Sequence, residues 1–478
     1  MDAADRSPHH GLVVSVCCIG AFVGQFDASV VQLALPTLKD TFGVSIDAVR
    51  WVAVAYLLAF ASCLPVFGKL CDLFDRKRLY LLGFGLFAAA SAVCGLADDF
   101  ATLVGARVMQ GMGGALLGAN SMTILATVIV PHRRSHAIGL FTAAQAIGIS
   151  AGPMVGGVLL EWLSWRWVFW MVVPFGLAAM AIGAAVLPRA AAPAAGRRLD
   201  VAGALLIVPC LVLAVLVILQ VGAWPIASPP MLACAGGAVV LGVLFVRRER
   251  RAEWPLVDLA LFGSRNYAAG IAGVALAYAV LYGLLFLMSF AYVHGLLNTP
   301  LVAGLKMATV PVGVGLLAPV GVMLAARLGA PRLGTVAMAV CLAALGALAF
   351  MAFGPDRLVI RLVALTTFGV GLGLFMAPNA DATIKAAPEG HVATAGALVN
   401  LARVLGSCVG VAAASSVMSW QLQRYRADAS ILVPGSPVDV PLLEAVESGL
   451  LMLSGFALVA AVVSLLRRDA PRSVEGRA

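Results

Sequence analysis

The chain has 478 residues, of which 62% are hydrophobic and only 12% are charged, and its mean hydropathy is +1.00. Soluble globular domains carry roughly 25% charged residues, so the composition excludes an ordinary soluble protein. In lipid the backbone must satisfy its own hydrogen bonds, which leaves helices or a closed barrel. The apolar runs have the ~20-residue length of membrane-spanning helices rather than the ~10-residue length of barrel strands. We therefore predict an all-α membrane protein.

Fourteen candidate membrane-spanning helices follow one another along the chain. The first apolar run continues past Asp27 to Pro36, which is too long for the core of a cleaved signal peptide, so it is predicted as helix 1. The fourteen spans lie near residues 12–36, 47–68, 79–97, 102–126, 137–160, 167–187, 200–221, 230–246, 267–293, 301–325, 333–353, 358–378, 394–419 and 449–466.

The distribution of basic residues predicts the orientation. Most of the 32 Lys and Arg residues fall in alternate loops, on the side that carries the amino terminus. By the positive-inside rule that side is cytoplasmic, so we expect a multi-pass protein of the inner (cytoplasmic) membrane with both termini in the cytoplasm. Basic loops facing anionic lipid headgroups also account for the net charge of +9. No interleaved basic and aromatic surface points to nucleic acid.

Longer polar stretches divide the chain into parts. They follow helix 6 and helix 8, and helices 7 and 8 between them carry few polar residues. This pattern predicts two six-helix bundles, at residues 1–188 and 266–478, joined by a linker at 189–265 that holds two additional helices. A segment near 421–447 contains three prolines and is expected to form an extracellular hairpin or irregular cap.

Asp27 is the only one of the 23 acidic residues that lies well inside a predicted span. A charge near the bilayer centre costs ~2.5–3.5 kcal/mol on insertion scales, which makes a functional role the default hypothesis. At 1.5 Å per residue, Asp27 lies roughly 8 Å from the outer face of a ~30 Å core, and Arg107 on helix 4 lies roughly 9 Å from that face. The two charges can therefore pair, either as a static ion pair or as a site that responds to protonation.

Three stretches resemble signatures of the major facilitator superfamily. The loop after helix 2 reads Gly68-Lys-Leu-Cys-Asp72-Leu-Phe-Asp75-Arg76-Lys77-Arg78, with Asp75 where that family usually has glycine. Helix 4 carries Arg107-Val-Met-Gln110-Gly111, and helix 5 carries Gly148 and then Gly152-Pro153-Met-Val-Gly156-Gly157. The helix 5 spacing is similar to the motif of the superfamily's antiporters.

Other stretches resemble one branch, the fourteen-helix drug/proton antiporter family. They are Asp27-Ala-Ser-Val-Val-Gln32-Leu-Ala34-Leu-Pro36 in helix 1, Trp165-Arg166-Trp167-Val-Phe169 at helix 6, and Asn400-Leu-Ala-Arg403-Val-Leu-Gly406 in helix 13. Two asparagines usual in that family are replaced here by Gln32 and Val173.

The resemblance implies a mechanism as well as a fold. It implies the superfamily fold of two six-helix bundles plus two inserted helices, with export by alternating access and the proton gradient as energy source. In that scheme Asp27 binds the coupling proton and Arg107 positions it. Gly68, Asp72 and Arg76 help to close the cytoplasmic side, where Asp72 would face the amino end of helix 13 near Thr394. No cofactor and no metal are expected.

The glycines of helix 5 also have a direct physical meaning. Gly148, Gly152 and Gly156 are four residues apart, so they line one helical face and allow close backbone approach. Pro153 removes a backbone donor and favours a bend. Plain helix packing and a bendable seam that seals one side of the transporter, with Gly157 beside it, both fit this pattern.

A binding cavity is expected near the midplane between the two bundles. The candidate lining residues are Gln25, Asp27, Gln32, Tyr56, Gln145, Tyr282, Phe286, Asn379, Asn400 and Arg403. The aromatic members can equally serve as simple packing residues.

The sequence thus predicts a proton-coupled antiporter that exports small amphiphilic compounds, such as drugs, antibiotics or metabolites. Its partners would be its substrate, protons and the lipid bilayer, and a monomer is expected. A proton-coupled uptake symporter for a vitamin or nutrient is the alternative. An intramembrane enzyme is disfavoured because only one acid, and no histidine, lies deep in a span. The absence of a GxxxxGK[ST] motif argues against a fused ATPase.

Overall fold

The computed structural model describes residues 10–188, 199–221, 223–225, 227–351, 357–388, 392–427 and 439–467. Over these residues the fold is helical, and fourteen helices are long and apolar enough to cross a membrane. In chain order, helices 1 to 14 span His10–Phe42, Ile46–Leu73, Arg76–Leu96, Phe100–Val128, His132–Trp162, Arg166–Val186, Val201–Gln220, Pro229–Glu249, Arg265–Gly295, Pro300–Leu328, Ala330–Met351, Leu358–Lys385, Thr394–Tyr425 and Val440–Leu465. The predicted fold class and the fourteen spans are confirmed.

Local side-chain chemistry sets several helix starts. Ser45, Asp75 and Asp99 cap helices 2, 3 and 4 by accepting a hydrogen bond from a backbone amide of the first turn. The Asp75 carboxylate accepts from the Lys77 amide at 3.0 Å. Asp75 therefore has a structural role in this chain at the position where the family usually has glycine.

The segment between helices 13 and 14 is shorter than expected. The α-helix of helix 13 continues to Ala427, and helix 14 already begins at Val440. Both ends of the predicted irregular segment 421–447 are thus helical. Pro441 occupies the first turn of helix 14, where a proline has no helical hydrogen bond to lose. Residues 428–438 lie outside the described part of the chain.

The helices form two packed groups. Helix 1 packs against helix 5, and helix 4 packs against helices 2 and 3; in the second group helix 9 packs against helix 13, and helix 12 packs against helices 10 and 11. Helices 7 and 8 pack against each other and touch the rest of the protein at helices 2 and 13. Their outer faces carry exposed apolar side chains such as Leu205 and Val239, which are 70% and 66% exposed. Such faces need lipid as solvent.

One end of the helix assembly carries the loop Asp72–Arg78, and we call it the basic end. At the opposite end a single arginine joins helices 2, 7 and 13. The Arg50 side chain is 2% exposed and donates to the Leu219 carbonyl at 2.8 Å and to Ser416 Oγ at 3.3 Å. It also pairs with Asp47 at 3.0 Å, and Asp47 accepts from Ser419 Oγ at 2.7 Å. We refer to these five residues as the Arg50 junction.

Helices 5 and 10 close against each other at that same opposite end. A Cβ added at Gly157 would lie 2.8 Å from the Pro300 carbonyl oxygen, and one added at Gly304 would overlap the Pro153 carbonyl. At the basic end, in contrast, a Cβ added at Gly68, Gly139 or Gly396 would meet nothing within 4 Å. The two groups are therefore in tight contact at the opposite end, and these three positions at the basic end face open space.

Candidate functional site

Asp27 and Arg107 form a fully buried ion pair. Arg107 Nη1 donates a hydrogen bond to Asp27 Oδ2 at 2.6 Å, and both residues are 0% exposed. Helices 1 and 4 run in opposite directions, and each places its charged residue at the common depth that the residue counts predict. A buried pair loses most of its solvation, so removing one partner typically costs ~3–5 kcal/mol.

Gln110 completes the coordination of the carboxylate. Its Nε2 donates to Asp27 Oδ1 at 2.8 Å and to Ser91 Oγ at 2.6 Å, while its Oε1 accepts from Arg107. Both oxygens of Asp27 are thus occupied by donors. Gln110 belongs to the helix 4 motif but was not predicted as a site residue, although it lies three residues after Arg107 and hence on the same helical face.

Aromatic rings and a carbonyl hold the Arg107 guanidinium in place. Its Cζ lies 4.3 Å from the centre of the Tyr56 ring and 5.8 Å from that of Phe169, and its Nε donates to the Val52 carbonyl at 2.8 Å. Its Nη2 is buried without a hydrogen-bond partner among the described residues. Arg107 therefore keeps one free donor beside the carboxylate.

A narrow pocket lies between the two groups of helices, next to this pair. Four predicted cavity residues line it: Gln25 and Tyr56 from the first group, and Tyr282 and Arg403 from the second. The Tyr282 hydroxyl donates to Gln25 Oε1 at 3.4 Å, and the Tyr56 hydroxyl donates to the Gly24 carbonyl at 3.3 Å. The pocket thus combines apolar ring faces with a few polar groups. Its volume is about 10 Å³, room for about one water molecule, so in this state it is closed to an organic molecule.

Asn400 lies at the edge of the same region. Its Nδ2 donates to the Gly118 carbonyl at 3.4 Å, which links helix 13 to helix 4, and its Oδ1 accepts from Arg403. Gln32 is fully buried on helix 1, and both polar atoms of its amide lack a hydrogen-bond partner among the described residues.

The remaining predicted cavity residues lie elsewhere. Asn379 is packed inside the second group of helices, where it donates to the Gly270 carbonyl at 3.1 Å and accepts from Arg467. Phe286 is fully buried and packs against Phe290, with the ring centres 5.1 Å apart. Gln145 is half-buried and does not line the pocket. Helix packing satisfies or covers these side chains, so their polarity or size alone did not indicate a cavity position.

The glycine face of helix 5 packs against helix 1. A Cβ at Gly148 would lie 2.6 Å from the Phe22 carbonyl oxygen, and one at Gly152 would overlap the Ser29 hydroxyl and lie 2.8 Å from the Val30 amide nitrogen. This face lies within the first group, so the close approach is a packing contact between helices 1 and 5. The contact with helix 10 is made by the Pro153 and Gly157 side of the helix.

Asp72 at the basic end pairs within its own loop. Arg76 Nη2 donates to Asp72 Oδ1 at 2.7 Å, and Arg76 Nε donates to the Cys71 carbonyl at 3.2 Å. Both residues border a cavity of about 370 Å³ formed by the basic ends of helices 2, 3, 4 and 6. In this structure Asp72 therefore bonds Arg76 and not the amino end of helix 13, where it was expected.

Fourteen helices long and apolar enough to span a membrane, with a buried ion pair and a central pocket, are the arrangement expected of a multi-pass membrane transporter. The sequence model described as Major Facilitator Superfamily matches residues 17–411. The chain belongs to this family.

Similar proteins include a riboflavin transporter and a multidrug resistance protein. The chain is 30% identical over 430 residues to the riboflavin transporter RibZ of Clostridioides difficile, covering 89% of this chain and 92% of RibZ. It is 32% identical over 405 residues to the multidrug resistance protein Stp of Mycobacterium tuberculosis, covering 84% and 74%. A crystal structure of a bacterial homologue of the human lysosomal transporter Spinster, inward-facing and unoccupied, has a TM-score of 0.65 at 14% identity and covers 97% and 99%; it supports the fold alone.

Proposed function

We propose that the protein is a proton-coupled antiporter that exports small amphiphilic organic compounds across the cytoplasmic membrane, working as a monomer. The observation that carries this proposal is the buried carboxylate of Asp27, whose two oxygens are held by Arg107 and Gln110 beside the central pocket. In pumps and transporters, a carboxylate inside the membrane and next to a substrate pocket typically binds and releases protons.

The proposed orientation places the basic end in the cytoplasm, since basic loops face the cytoplasm in most membrane proteins. The Arg50 junction and the helix 5–helix 10 contact then close the extracellular side. In this orientation the closed extracellular side supports the assignment of an inward-facing state, in which substrate enters from the cytoplasm.

Proton binding would act through the Asp27 network. Protonation removes the charge that Arg107 faces, and it turns one acceptor oxygen of Asp27 into a donor, which conflicts with the donors of Arg107 and Gln110. The network must then rearrange. Because it lies between helices 1, 3 and 4 and borders Tyr56 of the pocket, such a rearrangement reaches the substrate site directly.

Everted membrane vesicles test the direction of coupling. With the lumen acidified by respiration, addition of a transported dye or antibiotic should release protons from the lumen, which a pH-sensitive acridine dye reports as recovery of fluorescence. The name of Stp favours export, whereas the name of RibZ keeps uptake by symport as the second candidate. Failure of every transported compound to release protons would exclude the antiporter.

Asp72→Ala is expected to shift the balance between inward-facing and outward-facing states while leaving stability nearly unchanged. The Asp72–Arg76 pair is 35% and 27% exposed, and ion pairs of this kind contribute about 0–1 kcal/mol. The larger effect should come in the outward-facing state, where the carboxylate would face the helix 13 amino end, an interaction of ~0.3–2 kcal/mol. Labelling of a cysteine introduced at Gly396 should therefore increase, because the inward-facing state gains population.

Asp75→Ser is the matched control, because it removes a charge from the same loop and keeps a capping hydroxyl for helix 3. Its labelling rate should equal that of the parent protein. An unchanged rate in Asp72→Ala as well would remove Asp72 from the gating mechanism.

A further inference from the structure

Arg403 is a buried cation without a carboxylate partner among the described residues. It is 8% exposed, and its one side-chain hydrogen bond goes to the neutral Asn400. Its Nε is buried with no partner among those residues. The nearest functional carboxylate, Asp27, has both oxygens occupied by Arg107 and Gln110. Buried charges are usually paired or hydrogen-bonded throughout, so the guanidinium has unused binding capacity.

The side chains around Arg403 have the chemistry to hold a flat organic molecule, but only once the helices move apart, because the pocket has a volume of about 10 Å³ in this state. Arg403 lines the same narrow pocket as Tyr56, Tyr282 and Phe60, and its Cζ lies 5.8 Å from the centre of the Tyr278 ring. Aromatic walls favour planar ring systems. A guanidinium presents several N–H donors in a planar fork that matches a carboxylate or another pair of acceptor oxygens.

We infer that Arg403 determines the substrate class: the pocket selects aromatic amphiphiles that carry an acidic or strongly accepting oxygen group, and it disfavours aromatic cations. This inference rests on the proposed function of the pocket as the substrate site. An anionic group bound at Arg403 removes an unpaired buried charge, whereas a cation there adds a second positive charge at low dielectric. Arg107 already balances Asp27, so the anion does not compete for the partner of that carboxylate.

A matched pair of xanthene dyes tests this selectivity on the purified full-length protein. Fluorescein is anionic and rhodamine 123 is cationic, and the two share one ring system. Fluorescence polarisation at pH 7.5, with no proton gradient, should show fluorescein binding at least tenfold more tightly than rhodamine 123. Arg403→Gln should weaken fluorescein binding at least tenfold and leave rhodamine 123 binding unchanged or tighter, because the repelling positive charge is gone. Arg403→Lys should retain part of the preference, because it keeps the charge but not the planar fork.

Arg424→Gln provides the control, since Arg424 lies on the same helix, is exposed and stacks on Trp420 away from the pocket. It should bind both dyes like the parent protein. Equal affinity of the parent protein for the two dyes, or preference for rhodamine 123, would overturn the inference even if the Arg403 variants fail to fold. An equal loss of affinity for both dyes in Arg403→Gln would also overturn the inference, because it would indicate that Arg403 only packs against its neighbours. The assay needs no gradient, so its outcome is independent of the vesicle experiment on proton exchange.

Discussion

Asp27→Asn is expected to abolish substrate transport driven by a proton gradient, so that accumulation falls to the level reached without a gradient, and to leave exchange of substrate across the membrane measurable. Asparagine is nearly isosteric with aspartate and cannot change its charge. A site that cannot bind the coupling proton cannot exchange that proton for substrate, so the gradient no longer drives accumulation. Proteoliposomes assayed with and without an imposed pH gradient separate accumulation from exchange.

The control for Asp27→Asn must exclude a purely structural defect. The substitution leaves Arg107 as a buried cation without its carboxylate, and breaking such a pair is destabilising. The double variant Asp27→Asn/Arg107→Gln removes both charges and should regain much of the lost thermal stability, but not the response to the gradient. Restoration of gradient-driven accumulation in the double variant would contradict a proton-binding role for Asp27.

Gly152→Ala should be a strongly damaging single-methyl change on helix 5. The added methyl group would overlap the Ser29 hydroxyl and approach the Val30 amide nitrogen to 2.8 Å, so helices 1 and 5 must move apart. Overpacking typically costs ~1–3 kcal/mol, and the backbone contact places this site at the upper end. We expect a lower melting temperature in detergent and loss of transport.

Gly139→Ala on the same helix is the matched control. Nothing lies within 4 Å of its added Cβ, and alanine is favoured over glycine in a helix by about 1 kcal/mol. The melting temperature should therefore stay the same or rise. Adding Ser29→Ala to Gly152→Ala should restore part of the stability, since it removes the hydroxyl and leaves the Val30 backbone contact. Equal melting temperatures for Gly152→Ala and Gly139→Ala would show that helices 1 and 5 are not closely packed.

The sequence predicted those features that depend on single helices. Apolar length located the fourteen spans, and the rise per residue placed Asp27 and Arg107 at one depth, where the structure joins them at 2.6 Å. Spacing by four residues identified the close-contact face of helix 5. In each case the period or length of a helix determines the result, and no tertiary information is needed.

Features that depend on how helices meet were not predictable in the same way. Asn379 is a polar residue at the end of its predicted span, and its partners Gly270 and Arg467 lie on helix 9 and just after helix 14, in its own group. Arg50 sits in the first turn of helix 2 and looks like an ordinary interfacial cation, while its partners Leu219 and Ser416 are 169 and 366 residues away in the chain. Asp72 pairs with Arg76 across the turn between helices 2 and 3, a contact that the period of a single helix does not indicate.

The Arg50 junction bears on the inserted pair, helices 7 and 8, whose outer faces contact lipid. Arg50 donates one hydrogen bond to Leu219 in the last turn of helix 7 and another to Ser416 of helix 13. Excision of the pair to leave a twelve-helix chain would remove the carbonyl acceptor of a 2%-exposed guanidinium and leave that guanidinium with Asp47 and Ser416. Loss of a hydrogen bond to a buried charged group is costly. The inserted pair is therefore not a detachable addition to a twelve-helix protein.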